Sequence, residues 1–100
     1  MKREIFEAYV DAICQRFKIT RKEFFTKNKQ RDLVEARYML FYLCKKRPMR
    51  ICNIEEYMGE HKYSITHPNI IRGIRSMAHK IESDQDYANI LHEIAAAAKV

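Results

Sequence analysis

Polar side chains that can contact nucleic acid recur at helical spacing between residues 69 and 79. The set is Asn69, Arg72, Ser76 and His79, with Arg75 at its margin. Steps of three and four place these residues on one side of an α-helix, because the helix has about 3.6 residues per turn. Amide and guanidinium groups hydrogen-bond base edges, and cationic groups also bind phosphates. The spacing therefore indicates a DNA-facing surface, with an ordinary solvated helix face as the alternative.

The same segment carries an apolar stripe on its other side. The stripe consists of Ile70, Ile74, Met77, Ala78 and Ile81. Such a stripe predicts burial against a core. Proline suits the first helical position, where its missing N–H has no partner, and it keeps the preceding residue out of the helical region. We therefore expect His67 to cap this helix and Pro68 to be its first residue. A helix with one apolar side and one DNA-facing side is typical of the second helix of a helix-turn-helix.

Positive charge is concentrated in the first half of the chain. The net charge is +6, but residues 1–50 hold 14 Lys or Arg and 6 Asp or Glu, whereas residues 51–100 hold 5 and 7. Seven of the cations lie between residues 16 and 31, where Glu23 is the one acid. They are Arg16, Lys18, Arg21, Lys22, Lys27, Lys29 and Arg31. Such a cluster can neutralise phosphates and release counterions, which is the main source of nonspecific affinity for DNA. The alternative is a solvated basic surface.

Length and composition limit the number of domains and the kinds of protein that this chain can be. We expect residues 1–100 to form a single globular, mostly helical domain, because 47% are apolar and the chain has two glycines and two prolines. Acidic residues interrupt the start of the chain and no apolar run reaches ~18 residues, so we expect a cytoplasmic protein without a membrane segment. Three cysteines without a close pair predict buried, reduced thiols.

Catalytic and metal-binding signatures are weak. A zinc set could be drawn from Cys44, Cys52, His61 and His67, but no pair in it has zinc-finger spacing except His61 and His67, which are separated by five residues. The sequence holds no glycine-rich phosphate loop and no pattern that pairs a nucleophile with a base. We therefore expect no metal, no cofactor and no enzymatic activity.

Periodicity and capping residues predict helices in the first half of the chain. A first amphipathic helix contains residues 5–17. Thr20 and Glu23 match a capping box that opens a short second helix, and residues 27–30 read as a polar loop. A long helix follows over residues 31–46. Because it is apolar nearly all round, we expect it to pass through the centre of the molecule.

The second half of the sequence predicts three more helices. Residues 53–56 match a second capping box, which would start a short helix that ends at Gly59, because glycine accepts the left-handed conformation. The helix around Pro68 follows, and residues 83–86 cap a last, alanine-rich helix. The fold class is therefore all-α, a compact bundle of about six helices that contains a helix-turn-helix. The last helix could instead dock a protein partner or a second copy of the chain, with packing on its own bundle as the alternative.

The order of these elements is similar to that of a known family. Residues 18–25 read KITRKEFF, residues 36–43 in the long helix read ARYMLFYL, and residues 67–77 read HPNIIRGIRSM. In this order the segments resemble the C-terminal DNA-binding domain of the bacterial replication initiator DnaA, which is related to the Trp-repressor helix-turn-helix fold. The resemblance covers about residues 10–81. It implies double-stranded DNA as the partner, with a replication protein as a further candidate, and a monomer or homodimer.

The resemblance also implies roles for individual residues. Lys29 stands where the family has a loop arginine that enters the minor groove of DNA. The positions at which the family's long helix touches backbone phosphates are held by Arg37, Tyr38 and Lys45. The family's histidine and its two hydroxyl residues are matched by His67, Pro68 and Asn69. With the charge pattern, the candidate DNA-binding residues are Lys27, Lys29, Arg31, Arg37, Tyr38, Lys45, His67, Pro68, Asn69, Arg72 and Arg75.

The chain departs from the family between the two helices of the helix-turn-helix. Ile65 and Thr66 replace an Arg-Asp pair, and the connection over residues 59–67 is about four residues longer. We therefore expect the fold to be kept and the DNA target sequence to differ. The functional hypothesis is a stand-alone, sequence-specific DNA-binding module in the control of replication or transcription.

Overall fold

The computed structural model describes residues 1–100, and all of its regular structure is helical. The helices are α1 (Lys2–Phe17), α2 (Arg21–Phe24), α3 (Arg31–Lys46), α4 (Ile51–Glu60), α5 (His67–Ser83) and α6 (Gln85–Ala98). The predicted all-α bundle of six helices is confirmed. Helices α4 and α5 are joined by residues 61–66 and contact each other.

Side-chain caps define two helix starts as the sequence predicts. Thr20 Oγ1 accepts from the Glu23 backbone N–H at 3.0 Å, and Glu23 Oε1 accepts from the Thr20 backbone N–H at 2.9 Å. This reciprocal pair satisfies two donors that the first turn of α2 leaves free. At the start of α6, Asp84 Oδ1 accepts from the Asp86 backbone N–H at 2.9 Å. The predicted capping box and the predicted cap of the last helix are confirmed.

The predicted start and end of α4 are wrong. The helix begins at Ile51 rather than at Asn53, because the Asn53 backbone N–H already donates to the Arg50 carbonyl at 3.0 Å. Gly59 lies inside the helix without a positive φ, and Lys62 adopts the left-handed conformation instead, with φ 62°. The turn after α4 therefore does not depend on the conformational freedom of glycine.

Helix α5 starts one residue earlier than predicted. Thr66 is extended, with φ −94° and ψ 157°, and is the N-cap residue, whereas His67 is the first helical residue. The Thr66 carbonyl accepts the first helical hydrogen bonds, from the backbone N–H groups of Asn69 and Ile70, both at 3.1 Å. Pro68 is tolerated as the second helical residue because the first four N–H groups of a helix have no partner inside it.

Helix α3 forms the centre of the molecule, as predicted, because it contacts each of the other five helices. A core cluster of 22 buried residues surrounds it. Of the predicted α5 stripe, Ile70 and Met77 are buried, and Ile74, Ala78 and Ile81 are half-buried against the core.

Gly73 sets the distance between α3 and α5. A Cβ atom at this position would lie 2.7 Å from Tyr38 Cδ1 and 3.1 Å from Phe41 Cδ2. Real carbon atoms do not approach so closely without a shift of the neighbouring groups. The absence of a side chain at Gly73 therefore lets α5 lie directly against the aromatic side of α3.

The three cysteines differ in their surroundings. Cys14 and Cys44 are buried, whereas Cys52 is exposed, so the prediction of buried thiols is wrong for Cys52. Its position on the outer side of α4 has no partner element to cover it. Burial raises the pKa of the Cys14 thiol to about 11 and that of the Cys44 thiol to about 12. All three are free thiols.

No helix in the structure is both long enough and apolar enough to cross a membrane.

Candidate nucleic-acid interface

Four segments of the chain border one surface groove of about 370 Å³. They are the connection between α2 and α3 (residues 25–30, the basic loop), α3, the connection between α4 and α5 (residues 61–66, the turn) and α5. The lining residues are Lys27, Asn28, Lys29, Val34, Arg37, Tyr38, Phe41, Tyr63, Ile65, Asn69 and Arg72. The lining of the groove therefore contains four cationic side chains and no carboxylate. Six of the candidate DNA-binding residues meet there, although they come from three separate stretches of sequence.

Helix α5 contributes Asn69 and Arg72 to the groove, and both are exposed. They are three residues apart and lie near the start of the helix, so their side chains leave the helix on one face. His67, Pro68 and Arg75 are also exposed, but they do not line the groove. The start of α5 therefore presents an amide and a guanidinium side by side toward the groove.

Helix α3 contributes Tyr38, whose ring is half-buried against Gly73. Its position is thus tied to the close approach of α3 and α5. The remaining candidates lie outside the groove. Arg31 is 83% exposed and forms an ion pair with Glu35 at 3.8 Å. Lys45 is exposed near the other end of α3, about 21 Å from Arg31 along the helix axis at 1.5 Å per residue.

Arg37 is a buried residue rather than a surface cation. It is only 3% exposed. Its Nε donates to the Phe24 carbonyl at 2.8 Å, Nη1 donates to the Asn28 carbonyl at 3.0 Å, and Nη2 donates to the Thr26 carbonyl at 2.5 Å. Burial lowers the pKa of this guanidinium, which still remains cationic because arginine is not deprotonated in proteins. The predicted contact of Arg37 with phosphate is wrong, because backbone carbonyls at the end of α2 and in the basic loop occupy its donors.

Tyr63 is a groove residue that the sequence reasoning missed. Lys27 Nζ lies 4.6 Å from the centre of its ring, and the guanidinium carbon of Arg37 lies 4.9 Å from it. The Lys27 ammonium also donates to the Ser64 carbonyl. These contacts fasten the basic loop to the turn. The available sequence signal is a tyrosine in the short connection between two predicted helices.

His61 fixes the other side of the turn. Its ring stacks on Phe25 with 4.0 Å between ring centres and an interplanar angle of 11°. His61 Nε2 lies 2.7 Å from Glu7 Oε2 on α1. The turn is therefore anchored to α1 and to the end of α2 as well as to the basic loop.

The chain is similar in sequence to a bacterial replication initiator. It is 22% identical over 85 residues to the chromosomal replication initiator protein DnaA from two strains of Leptospira biflexa serovar Patoc. This match covers 85% of the chain but 18% of the length of each relative. No protein-family model and no solved structure matches the chain. The resemblance to DnaA is therefore confirmed as a sequence similarity over a stretch the size of one domain.

Proposed function

We propose that residues 1–100 form one domain that binds double-stranded DNA through the basic loop and the start of α5. The observation that carries this proposal is the groove that joins Lys27, Lys29, Asn69 and Arg72 without a carboxylate. Binding of a DNA phosphate backbone to such a surface is favourable, because each phosphate that a cation neutralises releases counterions. The similarity to DnaA, a chromosomal replication initiator, supports a role in the control of replication or transcription.

In this binding mode α5 lies in the major groove of DNA, which is wide enough for a helix. Asn69 suits a bidentate contact with adenine, and Arg72 suits a bidentate contact with guanine. Lys29, at the tip of the basic loop, reaches the adjacent minor groove, and Lys45 at the far end of α3 meets a phosphate. Tyr38, which lies between Lys29 and Lys45 in the sequence, contacts the sugar-phosphate backbone.

The groove is suited to binding rather than to catalysis. Its polar groups are two ammonium groups, two guanidinium groups, two amides and two phenols. None of these is an activated nucleophile or a general base at neutral pH. Ile65 and Thr66, which stand where the resembling family has an Arg-Asp pair, carry no charge, and Ile65 is half-buried in the groove. Because an apolar group cannot hydrogen-bond a base, we propose that the target sequence differs from that of DnaA.

The salt dependence of binding to random-sequence duplex DNA tests the proposal. Five to seven phosphate contacts give a slope near −5 for the logarithm of the association constant against the logarithm of salt concentration. Replacing Lys27, Lys29 and Arg31 together with alanine should reduce the magnitude of that slope by about 2 to 3. Fluorescence anisotropy with a labelled duplex measures both values.

A charge-matched control keeps the experiment specific. Lys2, Lys46 and Lys99 are exposed and do not line the groove. Their replacement by alanine removes the same charge and should leave the slope within about 1 of the wild-type value. A salt-independent affinity, or equal effects of the two triple variants, would contradict the proposal. Salt independence would instead favour a protein partner.

A further inference from the structure

The basic loop has no regular secondary structure, and Arg37 supplies hydrogen bonds to its backbone. The carbonyls of Phe24, Thr26 and Asn28 converge on one guanidinium from three directions. The loop adds one local contact of its own, in which Asn28 Oδ1 accepts from the Gln30 backbone N–H at 2.8 Å. A side chain of α3 therefore determines the path of the loop.

The same guanidinium also contacts the other half of the interface. Arg37 lies over the ring of Tyr63 in the turn, and Lys27 of the basic loop lies over that ring as well. The turn leads directly into α5, so the contacts connect the basic loop through Arg37 and Tyr63 to the start of α5. The basic loop and the turn before α5 are therefore both held by the buried Arg37 side chain.

We propose that Arg37 is a positioning residue for DNA binding, which holds the basic loop and the turn in one relative arrangement so that Lys29 and α5 engage the same duplex together. This inference rests on the proposed function. Its physical reason is preorganisation, because a loop that is ordered before binding does not lose conformational freedom on binding. Arginine is required because its planar fork carries five donors in fixed directions, whereas lysine carries a compact ammonium.

A double-mutant cycle tests the positioning role. In the wild-type protein, Lys29→Ala should reduce the magnitude of the salt slope by about 0.9, the value of one phosphate contact. In the Arg37→Lys background the loop is no longer held, so Lys29→Ala should leave the slope nearly unchanged. Lys45→Ala is the matched control. Lys45 is an exposed cation of α3 outside the groove, and its substitution should change the slope by the same amount in both backgrounds.

A measurement without DNA separates this inference from the proposed function. Amide hydrogen exchange in the free protein should become faster at residues 26–30 in Arg37→Lys, whereas the interior of α3 stays protected. If wild-type binding proves independent of salt while the loop exchanges faster in the variant, the proposed function fails and Arg37 is shown to hold the loop for another purpose.

A second variant keeps the inference falsifiable if Arg37→Lys does not fold, as judged by circular dichroism. Tyr63→Leu removes the ring between Lys27 and Arg37 and should also uncouple Lys29 from binding, whereas Tyr63→Phe keeps the ring and should behave as wild type. Additive effects of Lys29→Ala and the background substitution on binding would overturn the inference. Unchanged exchange at residues 26–30 in the folded Arg37→Lys variant would overturn it too.

Discussion

Adding one methyl group at each of the two glycines should change the stability of the protein in opposite directions. Both glycines are helical. A Cβ atom at Gly59 would meet no atom within 4 Å, whereas a Cβ atom at Gly73 would lie 2.7 Å from Tyr38 and 3.1 Å from Phe41. The two positions therefore separate the intrinsic helix preference of alanine from the packing of α3 against α5.

The expected magnitudes follow from these distances. In an open helical position, glycine to alanine stabilises by roughly 0.4 to 1 kcal/mol, mostly because the unfolded chain loses freedom. Gly59→Ala should gain about 0.5 kcal/mol, since Gly59 lies in the last turn of α4. At Gly73 the same gain is opposed by an overpacking cost of about 1 to 3 kcal/mol. Tyr38 can shift outward because it is half-buried, but Phe41 is fully buried. We expect Gly73→Ala to be destabilised by about 1 kcal/mol overall.

Thermal unfolding followed by circular dichroism measures the difference. For a chain of this length, 1 kcal/mol corresponds to a shift in Tm of roughly 4 to 8 °C. Gly59→Ala should unfold about 2 to 4 °C above the wild type, and Gly73→Ala about 4 to 8 °C below it. An increase in Tm for Gly73→Ala equal to that for Gly59→Ala would refute the conclusion that this glycine sets the distance between α3 and α5.

Two further predictions concern helix ends and pH. Thr20→Ala removes the hydroxyl of the capping box and should destabilise by about 1 kcal/mol in chemical denaturation, an effect that Thr20→Ser should largely avoid. Burial opposes ionisation of Glu35, but hydrogen bonds from Lys80 at 2.6 Å and Tyr87 at 2.9 Å outweigh it, so the pKa of Glu35 is lowered. The carboxylate therefore stabilises the fold above about pH 4.5, and this contribution is lost as the pH falls through the lowered pKa. Glu35→Gln should be less stable than wild type by about 1.5 kcal/mol at pH 7, and the difference should shrink toward pH 3; a constant difference would exclude this linkage.

The helices could be predicted from the sequence because their signals are local. The capping box at Thr20 and the apolar character of α3 need only neighbouring residues, and both are confirmed. The sequence predicts the N-cap of α5 one residue late, at His67 rather than Thr66, because a proline is compatible with either of the first two helical positions. Such local ambiguity changes a boundary without changing the fold.

The interior contacts of the groove depend on partners that are distant in sequence. Gly73 appears in the sequence only as a weak helix former, and its function exists only against the two aromatic rings of α3. The family resemblance implies a phosphate contact for Arg37, although this residue lies four residues after Leu33 and three before Leu40, both of which are buried. This spacing places Arg37 on the apolar side of α3, and from it the burial of the guanidinium could have been predicted. The acceptors of its hydrogen bonds are backbone carbonyls, which every residue has, so the sequence does not indicate which of them Arg37 contacts.

The most direct test of the proposed interface compares binding to a selected site with binding to random duplex. A site is first selected from a random duplex pool with the wild-type protein. Asn69→Ala and Arg72→Ala should then each reduce the preference for that site about 5- to 150-fold, as expected for the loss of one base contact of 1 to 3 kcal/mol. Asn89→Ala, which removes an exposed amide on α6 outside the groove, should leave the preference within about 2-fold of wild type. If the folded Asn69 and Arg72 variants keep the wild-type preference, α5 does not read DNA and the proposed interface is wrong.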